Sequence, residues 1–292
     1  MAGIYRSTRY VLQNAFGSRS LPGAVRFYSQ KPDPAPLINV DVDSKTGVAT
    51  VTMNSPPVNT LNTPFLNEMG GVIKELEKNK TRGLILTSSS NSVFSAGLDI
   101  MEMYKAPRDQ MAVFWTTLQN TWLSLYRTGI PTVAAINGHA PAGGCLLALS
   151  CEYRVMVGPK FTIGLNETQL GIVAPPWFLI CMREAVGPRQ TELALTSGKM
   201  FTATEALNIG LVDQLVSNKE EALAEAHKFI ARFAKIPPLA RKLTKEFTRQ
   251  EGIKYMEEKM LDDLETFVDV ASSPSAQKGM EMYLEALKKK ST

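Results

Sequence analysis

Three short stretches of this sequence combine small residues with polar or acidic ones at spacings that could support chemistry. The first is a loop, residues 94–99, which reads Phe-Ser-Ala-Gly-Leu-Asp. The second, residues 141–145, reads Pro-Ala-Gly-Gly-Cys, and the third, residues 163–171, places Glu167 between two glycines beside an apolar run. Each stretch alone is a weak signal, because glycine pairs are common in turns and a single glutamate is usually solvated.

The second stretch predicts a receptor for an oxyanion. Residues 132–136 are β-branched at three of five positions, which is typical of a buried strand, and Asn137-Gly138 then predicts a turn. Residues 142–149 follow as a helix with small residues at its start and an apolar, and therefore buried, body. The first amides of a helix lack an intrahelical acceptor and carry the positive end of the dipole. Free N–H groups are therefore expected to converge there.

The elements that position these stretches alternate between strands and helices. Apolar runs with a period of two, or short continuous ones, predict strands, and a period of 3.6 predicts helices. The predicted strands are residues 37–42, 47–53, 83–87, 132–136, 153–157 and 161–163. One predicted helix occupies residues 110–126. Two others begin at Thr63, which is the expected N-cap, and at residues 142–144. This alternation predicts an α/β domain.

From Pro175 onward the pattern is mainly helical. Thr202 and Glu205 form a capping box for a short helix that ends at Gly210. An extended piece over residues 211–216 and an amphipathic helix up to about Phe233 follow. After a Pro-Pro linker the predicted helices are residues 239–250, 253–270 and 274–290. We therefore expect a core domain over residues 36–235 and a C-terminal helical region over residues 236–292, which caps the core or docks on a neighbouring subunit.

The first thirty residues have a composition of their own. Residues 1–32 contain five basic side chains, several serines, no acid and no continuous apolar core. This composition is typical of a mitochondrial transit peptide, with a disordered basic tail as the alternative, so we exclude residues 1–30 from the fold and expect the matrix as location. The remaining 27 basic residues face 28 acidic ones. That balance disfavours nucleic acid as a partner.

Several other classes of function are disfavoured by the residues. No apolar run approaches the roughly 20 residues that span a bilayer, so no membrane insertion is expected. The three cysteines lack metal-ligand spacing, which predicts buried inert thiols and no metal site. A hydrolase triad would need His139 or His227 beside a nucleophile such as Ser95. We expect an ordinary structural role for both histidines.

Taken together and in this order, the three stretches resemble the crotonase (enoyl-CoA hydratase/isomerase) superfamily. The motifs Phe-Ser-Ala-Gly-Leu-Asp-Ile and Ala-Ile-Asn-Gly, the latter followed by Ala-Gly-Gly-Cys, are highly specific as a pair, and the resemblance runs from about Val40 to the C-terminus. It implies a spiral of repeated ββα units with a C-terminal helical region, usually assembled as a trimer or a pair of trimers. It also implies an acyl-CoA thioester as substrate and no separate cofactor, because coenzyme A is part of that substrate.

The resemblance also implies roles for individual residues. In this family two backbone N–H groups bind the thioester oxygen, and matching the motifs places them at Ala96 and Gly143. Glu167 matches the catalytic carboxylate. The substrate-binding residues that the resemblance implies are Ser95, Ala96, Gly97, Leu98, Asp99, Gly143 and Asn166.

One position departs from the hydratase pattern. Hydratases of the family use two glutamates, and here Leu146 occupies the first position while Glu167 keeps the second. Addition of water profits from two such groups, whereas a proton shift from C2 to C4 needs only one base and an oxyanion site for the dienolate. The sequence therefore resembles the isomerases that convert cis- or trans-3-enoyl-CoA to trans-2-enoyl-CoA in mitochondrial β-oxidation of unsaturated fatty acids. A hydratase and a non-catalytic binding protein of the same fold are the alternatives.

Overall fold

A computed structural model describes residues 35–290 of the chain. Its strands are β1 (Ile38–Val42), β2 (Val48–Met53), β3 (Thr60–Leu61), β4 (Gly83–Ser88), β5 (Gly97–Leu98), β6 (Thr132–Ile136), β7 (Ala140–Pro141), β8 (Tyr153–Val157), β9 (Thr162–Gly164), β10 (Phe201–Thr202) and β11 (Gln214–Val216). The predicted transit peptide lies outside the described residues. Pro36 and the described residues after it belong to one compact unit, and the predicted division of this unit at residue 235 stays a prediction.

Ten helices lie in the described part of the chain. They are α1 (Thr63–Lys78), α2 (Arg108–Arg127), α3 (Gly143–Ser150), α4 (Pro176–Val186), α5 (Pro188–Ser197), α6 (Ala203–Asn208), α7 (Lys219–Ala231), α8 (Pro238–Thr248), α9 (Gln250–Ser272) and α10 (Pro274–Lys290). Two 3₁₀ turns, Ile100–Glu102 and Glu167–Leu170, complete the set. None of the helices within residues 35–290 is both long enough and apolar enough to cross a bilayer.

The main sheet has six strands in the order β1-β2-β4-β6-β8-β11. The first two strands pair antiparallel and all later pairs are parallel. Strands β4 and β6 are buried along their whole length, as expected for strands covered on both faces. The α/β prediction is confirmed.

Most predicted helices are present with ends within a few residues of the expected positions. The capping box of α6 is confirmed, because the Thr202 hydroxyl accepts from the Glu205 amide while the Glu205 carboxylate accepts from the Thr202 amide. The predicted N-cap of α1 is wrong by one residue. The side chain of Asn62 accepts from the Phe65 amide at 3.0 Å, so Asn62 is the cap and Thr63 is the first helical residue.

Side-chain amides hold together the ends of the central strands, where the loops of the site begin. Asn137, directly after β6, donates to the carbonyls of Ser88 and Ser90 and accepts from the Ser88 amide. Asn59 donates to the Ser88 hydroxyl and to the Phe94 carbonyl, so the loop after β4 is fixed at both ends. This bracing places β5 beside the start of α3.

A buried ionic cluster fixes the C-terminal helices to the core. The Glu152 carboxylate accepts from Arg241 and from Lys245, whose Nζ lies 2.7 Å away. Arg249 donates to the carbonyls of Ser150 and Cys151, where α3 ends. Helix α8 and the start of α9 are therefore attached to the same short helix that carries the predicted oxyanion site at its other end.

Candidate active site

A cavity of about 410 Å³ lies between the chain after β9 and helix α9. Its lining is mostly apolar, and it includes Glu167, Leu98 and Trp115. An apolar chamber with few polar groups is the usual form of a small-molecule site. The other six predicted site residues lie outside the lining of this cavity, at or near the elements that carry Leu98 and Glu167.

Glu167 begins the 3₁₀ turn that follows β9, and it is only 3% exposed. Neither of its carboxylate oxygens has a hydrogen-bond partner among the described residues. Burial raises its pKa to about 7, and its own backbone N–H offsets this only in part. A carboxylate with this pKa can both take and return a proton near neutral pH.

Asn166 lies directly before the catalytic candidate and carries a second unpartnered acceptor. Its Oδ1 atom is buried and has no hydrogen-bond partner within the described part of the chain. A buried amide oxygen without a hydrogen bond destabilises the fold, so a donor from a ligand or from protonated Glu167 would be favourable there. The predicted contact between Asn166 and substrate remains a prediction.

The start of α3 has the geometry that the sequence predicted. Gly143 is the first helical residue, and the intrahelical ladder begins with the Leu146 amide, which donates to the Ala142 carbonyl. The Gly143 amide therefore has no acceptor within its own helix. All eight residues of α3 are buried, so the dipole of this helix acts in a poorly solvated environment.

The structure contradicts the assignment of the second oxyanion donor to Ala96. The Ala96 amide donates to the Val58 carbonyl at 2.9 Å, so it is already used in holding the loop. The amide that points away from this contact is that of Leu98. In the parallel pairing of β3 with β5, the Asp99 amide donates to the Leu61 carbonyl. Because alternate amides of a strand point to opposite sides, the Leu98 N–H points away from β3.

Two glycines bring this amide next to that of Gly143. A Cβ built on Gly97, which has a φ of +87°, would lie 3.0 Å from the Gly143 nitrogen. A Cβ built on Gly143 would lie 3.2 Å from Leu98 Cδ2 and 3.3 Å from Gly97 Cα. The chain thus approaches the helix start as closely as only glycine allows. The geometry favours Leu98 and Gly143 as the pair of donors.

Two of the remaining predicted residues have structural roles that the sequence did not reveal. The Ser95 side chain is fully buried and donates to the Asn59 carbonyl at 2.7 Å, so it braces the loop. Asp99 caps the 3₁₀ turn by accepting from the Met101 amide. Their contact with substrate is not tested by these bonds and stays a prediction, as does that of Gly97.

The neighbours of Glu167 on α3 are apolar or neutral. Leu146, at the position of the first hydratase glutamate, is completely buried. The pKa of the Cys145 thiol is raised well above its ordinary value, first by burial and then by the nearby Glu167 charge. Cys145 therefore stays a neutral thiol, in agreement with the predicted inert role.

The histidines do not form a hydrolase triad. His139 Nδ1 accepts from the Thr162 amide at 3.1 Å and lies 3.0 Å from the Thr162 hydroxyl, so it fixes β9 against the preceding turn. The Ser95 hydroxyl bonds to a backbone carbonyl instead of to a histidine. Over residues 35–290, no group of three or more His, Cys, Asp or Glu side chains is arranged to hold a metal ion.

Sequence reasoning missed three charged residues of the cavity, Lys259, Asp262 and Asp263 on α9, of which only Asp263 is buried. The carboxylate of Asp263 is buried and accepts hydrogen bonds from the indoles of Trp115 and Trp177. A usable signal was present: Asp263 lies on the apolar stripe of α9, in register with Met256 and Phe267.

Comparisons with known proteins agree with this architecture. The model of the enoyl-CoA hydratase/isomerase family matches residues 43–291. The human protein "Enoyl-CoA delta isomerase 1, mitochondrial" is 42% identical over 268 residues, which cover 91% of this chain and 86% of that protein. The mouse protein of the same name is 40% identical over 273 residues, which cover 93% and 92%.

Solved structures show the same relationship. The crystal structure of human mitochondrial delta3-delta2-enoyl-CoA isomerase matches with a TM-score of 0.85 at 42% identity, covering 88% of this chain and 100% of that one. An enoyl-CoA hydratase from Bacillus halodurans matches with a TM-score of 0.77 at 20% identity, covering 85% and 100%, and shows a shared fold. The predicted crotonase fold with its C-terminal helices is confirmed.

Proposed function

Because this chain belongs to the enoyl-CoA hydratase/isomerase family, we propose that it is the isomerase that moves the double bond of cis- or trans-3-enoyl-CoA to give trans-2-enoyl-CoA. Relatives named as enoyl-CoA delta isomerase 1, about 40% identical over most of the chain, support this activity over the others in the family. The observation that carries the proposal is Glu167, a buried carboxylate at an apolar cavity that has no hydrogen-bond partner within residues 35–290.

The reaction begins with polarisation of the thioester. Its oxygen binds to the amides of Leu98 and Gly143, which replaces the Ala96–Gly143 pair expected from the sequence. As the C2–H bond breaks, negative charge moves to this oxygen. Fixed donors in a dry site stabilise that charge, and one such donor typically contributes about 3 kcal/mol.

Glu167 carries the proton between two carbons. Its carboxylate takes the proton from C2, which leaves a dienolate conjugated through C3 and C4. The resulting carboxylic acid then gives the same proton to C4, and the electron pair returns to form the C2–C3 double bond. Since the proton that leaves is the proton that returns, no cofactor is required, and coenzyme A serves as part of the substrate.

Leu146 favours isomerisation over hydration. A hydratase needs a second carboxylate to handle the water, and a buried leucine occupies the position where the family's hydratases carry it. Asp263 does not supply this function, because both of its oxygens accept hydrogen bonds from neutral donors. The apolar cavity around Glu167 further disfavours an ordered attacking water.

We also propose where the enzyme works and how it assembles. The acid-free N-terminal composition and the mitochondrial names of the relatives support the mitochondrial matrix as its location, in β-oxidation of unsaturated fatty acids. A homotrimer is supported by an exposed apolar ridge on α8, formed by Leu239, Leu243 and Phe247 at a spacing of four residues.

Product analysis tests the proposal directly. The mature chain is incubated with 3-decenoyl-CoA and, separately, with trans-2-decenoyl-CoA, and products are resolved by mass spectrometry. We expect trans-2-enoyl-CoA from the first substrate and little 3-hydroxyacyl-CoA from the second, with Glu167→Gln losing at least about 10³-fold in kcat. Efficient hydration would establish a hydratase. A Glu167→Gln variant as active as the wild type would rule out the single-base mechanism.

A further inference from the structure

A second buried carboxylate belongs to the wall of the cavity that Glu167 lines. Asp263 on α9 is 6% exposed and lines the same cavity. Four groups donate to it: Trp115 Nε1 at 2.8 Å, Gln119 Nε2 at 2.8 Å and Trp177 Nε1 at 3.1 Å, all to Oδ2, and the Tyr255 hydroxyl at 3.4 Å to Oδ1. One side chain thus joins α2, α4 and α9.

The donors around the Asp263 carboxylate are all neutral N–H and O–H groups, and they can stabilise its negative charge in place of a paired cation. Lys259, one turn earlier on α9, pairs with Asp262 and not with Asp263. The Gln119 amide is held in its donating orientation because its Nε2 also donates to the Met260 carbonyl. Burial and then the Asp263 charge raise the pKa of Tyr255 to about 12, so its hydroxyl remains a donor. Hydrogen bonds to a charged acceptor are the strong ones.

Of the two indoles that Asp263 holds, that of Trp115 forms part of the wall and that of Trp177 packs behind it. Trp115 lines the cavity and stacks on Phe267 of α9, with ring centroids 3.6 Å apart. It also meets Trp177 edge to face at 5.8 Å, and Trp177 packs against Phe178, another lining residue, at 4.5 Å. An indole released from Asp263 could rotate about its side-chain bonds and alter the space beside Phe267 and Phe178.

We propose that Asp263 is a positioning residue that sets acyl-chain selectivity, because it fixes the Trp115 indole in the wall of the cavity that receives the chain beyond C4, and the Trp177 indole behind Phe178 of the same wall. This inference rests on the proposed function for the identity of the ligand as an acyl-CoA. The shift of a proton from C2 to C4 by one carboxylate requires a fixed register of the chain, and a rigid wall supplies it.

Substitutions at Asp263 separate the hydrogen bonds from the packing. Asp263→Leu removes the acceptor and leaves three buried N–H groups without a partner. Asp263→Asn is the conservative variant, because its amide oxygen can take the place of Oδ2 while its NH₂ donates to the Tyr255 oxygen. Glu265→Gln, on an exposed position of the same helix, is the control for loss of one negative charge.

The first measurement is NMR of the indole N–H groups. The chain has three tryptophans, and the signal of Trp122, which packs on Trp177 at 4.9 Å without bonding to Asp263, is followed as well. We expect the Trp115 and Trp177 signals to move upfield in Asp263→Leu and to stay near their wild-type positions in Asp263→Asn and Glu265→Gln. Unchanged signals in folded Asp263→Leu would overturn the proposed anchor.

The second measurement is binding of saturated hexanoyl-, decanoyl- and tetradecanoyl-CoA by calorimetry, which needs no turnover. In Asp263→Leu we expect Kd to rise at least about tenfold for the longest ligand and less than about threefold for the shortest. The Asn and Glu265→Gln variants should keep the wild-type profile. A parallel change for all three lengths would overturn the proposal.

Two further results keep this test separate from that of the proposed function. If Asp263→Leu does not fold, Trp177→Phe removes one of the three N–H donors and retains an aromatic ring, and the same length-dependent loss is expected. If the wild type binds these thioesters but turns over no 3-enoyl-CoA, the isomerase assignment fails while the binding profiles still decide the role of Asp263.

Discussion

At the residue scale, Glu167 is a group whose burial destabilises the fold but favours the proposed proton transfer. A carboxylate that is 3% exposed and has no partner in the described part of the chain destabilises the folded state when it is charged. The same lack of solvation makes it a stronger base than a carboxylate in water. The properties that a proton shuttle needs therefore follow from its apolar surroundings.

The rate should follow the ionisation of Glu167. The base must be deprotonated to take the C2 proton, and burial raises its pKa to about 7. We expect kcat/KM for 3-enoyl-CoA to fall about tenfold per pH unit below that value and to be flat just above it. Steady-state kinetics between about pH 5 and pH 9 measure this dependence. A limb near the ordinary glutamate value would contradict the assigned environment.

The free energy of unfolding should also depend on Glu167, but it is higher when this side chain is protonated, whereas the reaction needs the deprotonated form. Because the folded-state pKa of Glu167 is raised from 4.5 to about 7, stability is lost as the pH rises through this window, by about 3 kcal/mol in total. Glu167→Gln is therefore expected to raise the free energy of unfolding at about pH 8 and to change it little near pH 4. Urea titrations at both pH values measure the difference, and an equal effect at both would refute this account.

At the element scale, the proposed oxyanion site depends on the contact between β5 and the start of α3. Both are short, and neither would hold its geometry alone. Asn59 and Asn137 brace the loop before β5, and the chain packs on α3 through Gly97 and Gly143. The positions of two amides are therefore decided by packing between elements distant in sequence.

A methyl group at Gly143 should disturb this contact. Its Cβ would lie 2.9 Å from Leu61 Cδ1 and 3.3 Å from Gly97 Cα, so β5 must move by a few tenths of an ångström. We expect Gly143→Ala to reduce kcat by about 10- to 100-fold with little loss of fold, because small displacements of oxyanion donors are costly.

The matched control for that variant is Gly71→Ala on α1, where a Cβ has no neighbour within 4 Å. This change should leave kcat unaltered and raise stability by up to about 1 kcal/mol, because alanine is the better helix former. Equal losses of kcat in both variants would argue against a specific role for the contact.

At the scale of the whole molecule, the C-terminal helices serve two purposes. Helix α9 forms a wall of the cavity through Asp263 and Phe267, while α8 is attached to the core by the cluster around Glu152. On the outer side of α8, the side chains of Leu239 and Phe247 remain about 70% exposed. Exposed apolar side chains that lie together are typical of a surface that contacts another chain.

The ridge on α8 should be required for assembly. For the proposed homotrimer, replacing both Leu239 and Phe247 by serine is expected to give a monomer with an unchanged circular dichroism spectrum, because the apolar area that drives association is lost. Light scattering after gel filtration measures the mass. Val113→Ser, at an exposed apolar position on α2, should leave the trimer intact. A trimer that survives the double change would place the interface elsewhere.

The sequence predicted those features whose physical cause is local. The strands at β4 and β6, the capping box of α6 and the amide-rich start of α3 each depend on neighbouring residues, and all are present in the fold. The motif resemblance correctly indicated the family because its residues lie at a few close spacings.

By itself, then, the sequence determined the α/β class, the family and the candidate base, since each follows from local patterns. Only the tertiary structure decided which amide of the loop is free. The Ala96 N–H donates to the Val58 carbonyl in a distant segment, whereas the Leu98 N–H points away from β3. The tertiary structure alone decided that Asp263 belongs to the cavity, because a carboxylate almost one hundred residues after Glu167 reaches it only when α9 folds back over α2 and α4. The hydrogen bonds and burial that give both residues their chemistry arise between elements, and no local pattern specifies them.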